Sequence, residues 1–262
     1  MYTDTHFHYQ EMRKKGFSIE ELISDFSREG ISLAIDIGLH GGEDIQERID
    51  ALQGLPQVFF SSGYHPSQTM KVSTKKAVES LHKQLDHPGI VAVGETGVDT
   101  YRDCGPVEKQ QELFRIHLEL ANQYELPIII HCRQAGQQVI EVLSSYPAKA
   151  GGILHCFEGS HDFAQQVLSH GLHISFAGNI TFSRNQELRE VAAAIPANRI
   201  LLETDSPYLT PVPHRGKPNS PGKIIHTYQT VAALRETSME DLCQQVRTNT
   251  LNLFSRIDES KF

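Results

Sequence analysis

The sequence predicts an α/β fold, a closed TIM (β/α)8 barrel, on three observations. Short β-rich runs alternate with helical segments along the chain, and eight such runs can be traced. Those runs are near-continuously apolar, the pattern of parallel strands covered by helices. The length of 262 residues suits one α/β barrel, and no repeat, low-complexity tract or Pro/Ser-rich linker divides it, so residues 1–262 are read as one domain.

Each element has a local reason. The opening run Tyr2-Thr3-Asp4-Thr5-His6-Phe7-His8 is extended, and in a strand His6 and His8, at i and i+2, share a face. Ser18-Ile19-Glu20-Glu21 is a capping box, followed by Leu22, Ile23 and Phe26 at helical spacing until Gly30. Ile31 to Ile37 is the second strand, stopped at Gly38. A polar helix is predicted over Glu43 to Leu52. The third strand starts at Val58-Phe59-Phe60 and runs out at Gly63-Tyr64-His65-Pro66. A helix over Thr74 to Leu85 leads to the fourth strand, Ile90 to Val93, ended by Gly94-Glu95. The long helix from Pro106 to Tyr124 has proline in its first turn, where a missing N–H costs nothing, and delivers the chain to strand five, Pro127 to His131. Helix Gln137 to Ser144, strand Gly152 to His155, helix His161 to His170, strand His173 to Phe176, helix Gln186 to Ala194 and strand Ile200 to Glu203 complete the barrel. Ser206 to Gly222, rich in proline, glycine and basic residues, reads as an exposed loop, and helices follow to Phe254.

Composition narrows the class. An apolar share of 39% with 21% charged residues is that of a globular protein, and no run approaches the ~18 apolar residues of a membrane span. The polar start carries no signal-peptide pattern, and the four cysteines, Cys104, Cys132, Cys156 and Cys243, form no C-x-x-C pair, so the expectation is a cytoplasmic protein with free thiols. A formal charge of −8 argues against a broad nucleic-acid-binding surface, although bound cations could create a local one.

The positions of the polar residues carry the functional reading. Active sites in such barrels lie at the C-terminal ends of the strands. His6 and His8 end strand one, Glu95 strand four, His131 strand five, His155 strand six and Asp205 strand eight, with His65 a further candidate after strand three. Imidazoles with carboxylates suit Zn, Mn, Co or Ni, whereas Mg prefers oxygen. One ion cannot use the whole set; two ions about 3.5 to 4 Å apart can. Glu95, on a central strand, is the natural bridge. Cys132 and Cys156 follow two of these histidines, but strand alternation turns them toward the covering helices, as core residues. Glu203, two before Asp205, shares its inward face and could orient a ligand.

Five ordered motifs, Asp4-Thr5-His6-Phe7-His8, Gly94-Glu95-Thr96-Gly97-Val98-Asp99, Ile130-His131-Cys132-Arg133, His155-Cys156-Phe157-Glu158-Gly159 and Glu203-Thr204-Asp205-Ser206-Pro207-Tyr208-Leu209, resemble the signatures of the TatD family of metal-dependent hydrolases and deoxyribonucleases. The resemblance spans nearly the whole chain. It implies His6, His8, Glu95 and Asp205 on one divalent ion, and Glu95, His131 and His155 on a second. Two departures bear on substrate choice: Gln134 stands where the family commonly has aspartate, and Ser220 where it has glutamate.

The resemblance also implies a 3′-5′ deoxyribonuclease acting on single-stranded or frayed DNA ends, with no membrane partner; a monomer is expected. Glu95 and Asp205 are the expected catalytic carboxylates, Asp205 as general base. His65, Arg133, Arg215 and Lys217 are candidates to bind phosphate or protonate the leaving oxygen. Tyr64, Phe157 and Tyr208 lie in rim loops where a ring could stack a base or pack under a loop. The rival reading is hydrolysis of small amides, esters or phosphoesters on the same dinuclear site, since fold does not set function. A metal-dependent scaffold is the non-enzymatic alternative.

Overall fold

The computed structural model describes residues 1–41 and 44–258. Eight strands lie side by side in chain order: β1 (Tyr2–Phe7), β2 (Ile31–Asp36), β3 (Val58–Ser62), β4 (Ile90–Asp99), β5 (Ile128–Arg133), β6 (Gly152–Leu154), β7 (His173–Phe176) and β8 (Ile200–Leu202). Every neighbouring pair is parallel, so all eight strands point their C-terminal ends at one rim. The helices are α1 (Tyr9–Lys14), α2 (Ile19–Glu29), α3 (Ile45–Ala51), α4 (Thr74–Leu85), α5 (Val107–Gln123), α6 (Gly136–Ser145), α7 (His161–Ser169), α8 (Gln186–Ala194), α9 (Ile224–Leu234) and α10 (Met239–Leu253). Apolar residues of the helices, such as Leu113, Phe114 and Leu118 of α5, and of the strands, such as Val91, Ile129 and Ile174, are buried in one core. Among the described residues no helix is long and apolar enough to cross a membrane.

The barrel closes where the residues after β8 meet β1. Asp205 N donates to His6 O (2.9 Å) and His8 N to Ser206 O (2.8 Å). Below these, the carboxylate of Asp4 takes Thr204 N (2.9 Å) and Thr204 Oγ1 (2.7 Å). A side chain thus supplies hydrogen bonds where the short strand runs out.

The expected capping box is present at Ser18, and Gly30 closes α2 in the left-handed conformation. The polar helix begins at Ile45, with Asp44 as its cap; the expected first residue, Glu43, lies outside the described residues. Pro106 stands one residue before α5, at its cap. The short helix α1 was not anticipated.

Two expectations are corrected. Strand β4 does not end at Gly94-Glu95 but continues to Asp99. Gly94 and Gly97 are the reason: their φ values are +140° and +142°, and a Cβ would lie 2.6 Å from Ile129 O and 2.0 Å from His131 O. These glycines let β4 press against β5 while its register shifts between Val93 and Thr96. The loop after β8 is likewise not exposed throughout: Ser206, Asn219 and Ser220 are buried. Asn219 Nδ2 donates to Thr204 O (2.9 Å) and Tyr208 O (2.6 Å), clamping the two ends of the loop together.

Candidate metal centre

Parallel strands bring the sequence-predicted ligands to one place. His6 lies near the end of β1 and His8 just beyond it; Glu95 and His131 lie within β4 and β5; His65, His155 and Asp205 follow β3, β6 and β8. Glu95 stands between two groups. Its Oε1 is 2.8 Å from His131 Nδ1, 2.9 Å from His155 Nε2 and 3.7 Å from His65 Nε2. Its Oε2 faces the other way, 3.4 Å from His6 Nε2 and 3.8 Å from His8 Nε2. Asp205 Oδ1 completes that second group, 3.2 Å from His8 Nε2 and 3.9 Å from His6 Nε2.

This donor set fits divalent cations. Ring nitrogens converge on one another, His6 Nε2 to His8 Nε2 at 3.1 Å and His155 Nε2 to His131 Nδ1 at 3.4 Å. Glu95 Oε2 is buried without a hydrogen-bond partner. Acceptor atoms so desolvated and aimed at one another suit a shared positive partner. Ligand atoms of His6, His8 and Asp205 lie within 4.8 Å of one another, as do those of His65, Glu95 and His131, and those of His6, His155 and Glu203.

The electrostatics agree. Burial pushes the Glu95 carboxyl up, but His155, His131 and His6 overcome it and hold Glu95 well below the usual carboxylate range. Against the same penalty, the hydrogen bond with His8 holds Asp205 down. Burial opposes a charge on His155, yet Glu95 and Glu203 raise it well above the usual histidine value. His8 is raised by Asp205 and Glu95, and His131 by Asp99 and Glu95, again against burial. The cluster therefore attracts positive charge, which protons or cations can supply.

Neighbouring carboxylates orient the imidazoles. Glu203 Oε1 faces His155 Nδ1 at 3.3 Å while Oε2 accepts from Ser175 Oγ (2.5 Å), as the shared inward face of Glu203 and Asp205 implied. Asp99 is a further such carboxylate, not among the residues expected from the sequence. Its Oδ2 lies 3.1 Å from His131 Nε2, and its Oδ1 accepts from Tyr101 N (2.9 Å) and Arg102 N (2.8 Å). Burial pushes Asp99 up, but the bond from His131 and the two backbone donors bring it down to about 2. A signal existed in the sequence: Asp99 is four residues beyond Glu95 and so on the same strand face, provided β4 is allowed to continue.

His8, Glu95, His131, His155 and Asp205 line a cavity of about 460 Å³, a size suited to a small ligand or a nucleotide unit, with His6 buried beneath it. His65, Arg133 and Tyr208 line it together with the unanticipated Glu11, Arg102 and Glu158, whereas Arg215 and Lys217 do not. The Arg215 guanidinium sits 4.1 Å over the Phe182 ring instead. Tyr64 and Phe157 are buried, so only Tyr208 of the three rim aromatics expected from the sequence keeps surface at the cavity. The cysteine expectation also changes. Cys132 packs partly on the core, but both it and Cys156 line the cavity, because β6 ends at Leu154 and Cys156 turns at φ +47°. Burial raises both thiols, which therefore stay protonated at neutral pH. Gln134 and Ser220 lie outside the lining. Gln134 O accepts from Thr100 Oγ1 (2.7 Å), and Ser220 Oγ accepts from Lys223 Nζ (3.0 Å).

The family profile described as TatD related DNase matches residues 3–255. The chain belongs to the TatD family. It is a metal-dependent hydrolase of that family. It is 32% identical over 255 residues to the uncharacterized metal-dependent hydrolase YabD of Bacillus subtilis (strain 168), covering 97% of this chain and 99% of the relative. To the 3′-5′ ssDNA/RNA exonuclease TatD of Erwinia amylovora it is 34% identical over 241 residues, 90% of this chain and 93% of the relative. Among solved structures, the TatD homologue YJJV from Escherichia coli K12 superposes with a TM-score of 0.88 at 27% identity, over 97% of this chain and 98% of that one.

Proposed function

We propose that this TatD-family hydrolase cleaves phosphodiester bonds at the ends of single-stranded DNA, with two divalent cations held by His6, His8, Glu95, His131, His155 and Asp205. One observation carries the phosphodiester reading. In a chain of net charge −8, Arg102 and Arg133 both line the cavity, and among the described residues neither has a carboxylate partner. Arginines without a carboxylate partner, in the same cavity as the candidate metal ligands, suit an anionic substrate, and phosphate above all.

The residues divide the work. Glu95 would join the two halves of the site, one oxygen toward His131 and His155 and the other toward His6 and His8. When bound, divalent ions lower the pKa of water from its bulk value toward ~7 and offset charge on phosphoryl oxygens. Asp205, held ionised beside His8, is positioned to accept the proton of the attacking water. His65 acts as a donor rather than an acid. Its Nδ1 accepts from Ser67 N (3.1 Å), which leaves the ring proton on Nε2, the nitrogen nearer Glu95. Burial and the neighbouring His131 bring His65 down to about 3, so it remains neutral and offers that N–H to a phosphate oxygen. Arg133 would hold a second oxygen, with the relative named as a 3′-5′ ssDNA/RNA exonuclease in support of a strand-end substrate.

The test is hydrolysis of 3′- and 5′-labelled single strands, in parallel with small esters and amides, by protein loaded separately with Zn, Mn, Mg, Co or Ni. Strand shortening from the 3′ end that is lost in Glu95→Gln is the expected result. Turnover of small substrates alone would leave the family intact and defeat the nuclease reading.

A further inference from the structure

Beyond the hydrolytic groups, the turn after β4 holds an aromatic ring in an unusual setting. Tyr101 is 61% exposed, and its ring carries the Arg133 guanidinium 4.4 Å from its centroid. We propose that Tyr101, backed by Arg133, is a stacking platform for one nucleobase of a single-stranded substrate, and so a specificity determinant of the site. This deepens the nuclease reading above and rests on it.

The backbone that carries the ring is pinned. Tyr101 N and Arg102 N donate to Asp99 Oδ1, Thr100 N to Arg133 O (3.0 Å) and Thr100 Oγ1 to Gln134 O (2.7 Å). The same Asp99 faces His131 through its other oxygen, so the platform and a metal-site imidazole share one anchor. With its backbone pinned and Arg133 against the ring, Tyr101 has less conformational entropy to lose when a flat partner arrives than a residue on a free loop. Arg133 supplies the second half of the recognition. Arg133 lines the cavity and its guanidinium lies over Tyr101, which itself stands outside the lining, so the ring would meet a base next to the nucleotide whose phosphate Arg133 holds.

The other rim aromatics are less suited. Tyr208 is 36% exposed, with its hydroxyl 3.2 Å from Glu11 Oε2 and Lys15 Nζ 4.5 Å from its ring centroid. Those contacts commit it to the wall between α1 and the loop after β8. Tyr64 and Phe157 are buried. A base inside a duplex is already stacked on both faces and cannot use the platform, so Tyr101 favours single strands and frayed ends.

Kinetics on paired oligonucleotides test the idea, one with normal nucleotides at its end and one with abasic tetrahydrofuran units there. Wild-type protein should favour the base-bearing end by about ten-fold in kcat/KM, expressed through KM, the size of a single base–aromatic stack. Tyr101→Leu should erase that preference and Tyr101→Phe should keep it. In the Glu95→Gln background, where the strand is not cut, a 2-aminopurine near the end should lose fluorescence on binding, and should not when Tyr101→Leu is added. A preference that survives Tyr101→Leu, or none in the wild type, overturns the platform while leaving the nuclease reading in place. If no oligonucleotide is cut and only small esters turn over, both fall together.

Discussion

Replacing Asp99 by asparagine tests the metal centre without touching a ligand. In the native protein the ionised Asp99 Oδ2 faces His131 Nε2 at 3.1 Å and can only accept, so the ring proton sits on Nε2 and the Nδ1 lone pair points at the site. Asparagine can present its oxygen to only one side. Tyr101 N and Arg102 N both donate to Oδ1, and turning an NH2 toward two donors would strand both, so the amide oxygen should stay there. The NH2 then faces His131 Nε2, drives the proton to Nδ1 and removes the lone pair from the site. Losing an orienting partner of this kind lowers metal affinity or activity by about 10- to 100-fold, or ~1.4 to 2.7 kcal/mol. Isothermal titration with Mn or Zn should show one weakened site and one nearly unchanged, with little loss of thermal stability because the turn keeps its cap. Two sites of native affinity in a folded Asp99→Asn protein would refute the tautomer argument and the assignment of His131.

Other consequences are open to direct measurement. His117, fully buried on α5, lies 2.7 Å from Leu113 O through Nδ1 and accepts from Tyr64 N (2.9 Å) through Nε2; burial lowers it to about 4. The unfolded chain takes up that proton first, near pH 6.5. The stabilisation is therefore complete above 6.5 and lost as pH falls to about 4, by about 3 kcal/mol in urea titrations, and His117→Gln should remove that part of the slope. Tyr228→Phe should cost about 2 kcal/mol in chemical unfolding, because the Tyr228 hydroxyl donates to Thr3 O (3.0 Å) and accepts from Thr3 N (3.2 Å), both buried. Binding of single-stranded DNA should lose affinity with salt at a log–log slope of about 0.7 to 2, the release expected for one to three phosphates; a slope suited to eight would contradict a charged footprint built on Arg102 and Arg133.

Much of the barrel was legible because its signals are local. Capping at Ser18, the boundaries of the helix Thr74–Leu85 and the strand His173–Phe176, and the polar residues at the strand ends each depend on a few neighbouring side chains. The continuation of β4 was hidden because glycine in a strand looks like a stop. Only the close approach of β5 shows why Gly94 and Gly97 are required there. Asp99 was missed for the same reason, since its partners follow only once the strand continues. The loop after β8 misled in the opposite sense: polar and proline-rich residues suggest exposure, yet Asn219 is buried with its amide on the backbone of Thr204 and Tyr208, and Ser206 with its hydroxyl on the Thr204 hydroxyl.

The sequence by itself determined the fold class, the family and the identity of the residues that gather at the rim, because parallel strands of fixed direction leave few places for their last residues to go. The tertiary structure decided which atoms face which: Glu95 with one oxygen to each histidine group, Asp99 behind His131, Arg133 on Tyr101, and Arg215 turned away onto Phe182. Those choices depend on side-chain torsions, strand stagger and burial summed over elements distant in the chain, which spacing along the sequence does not encode.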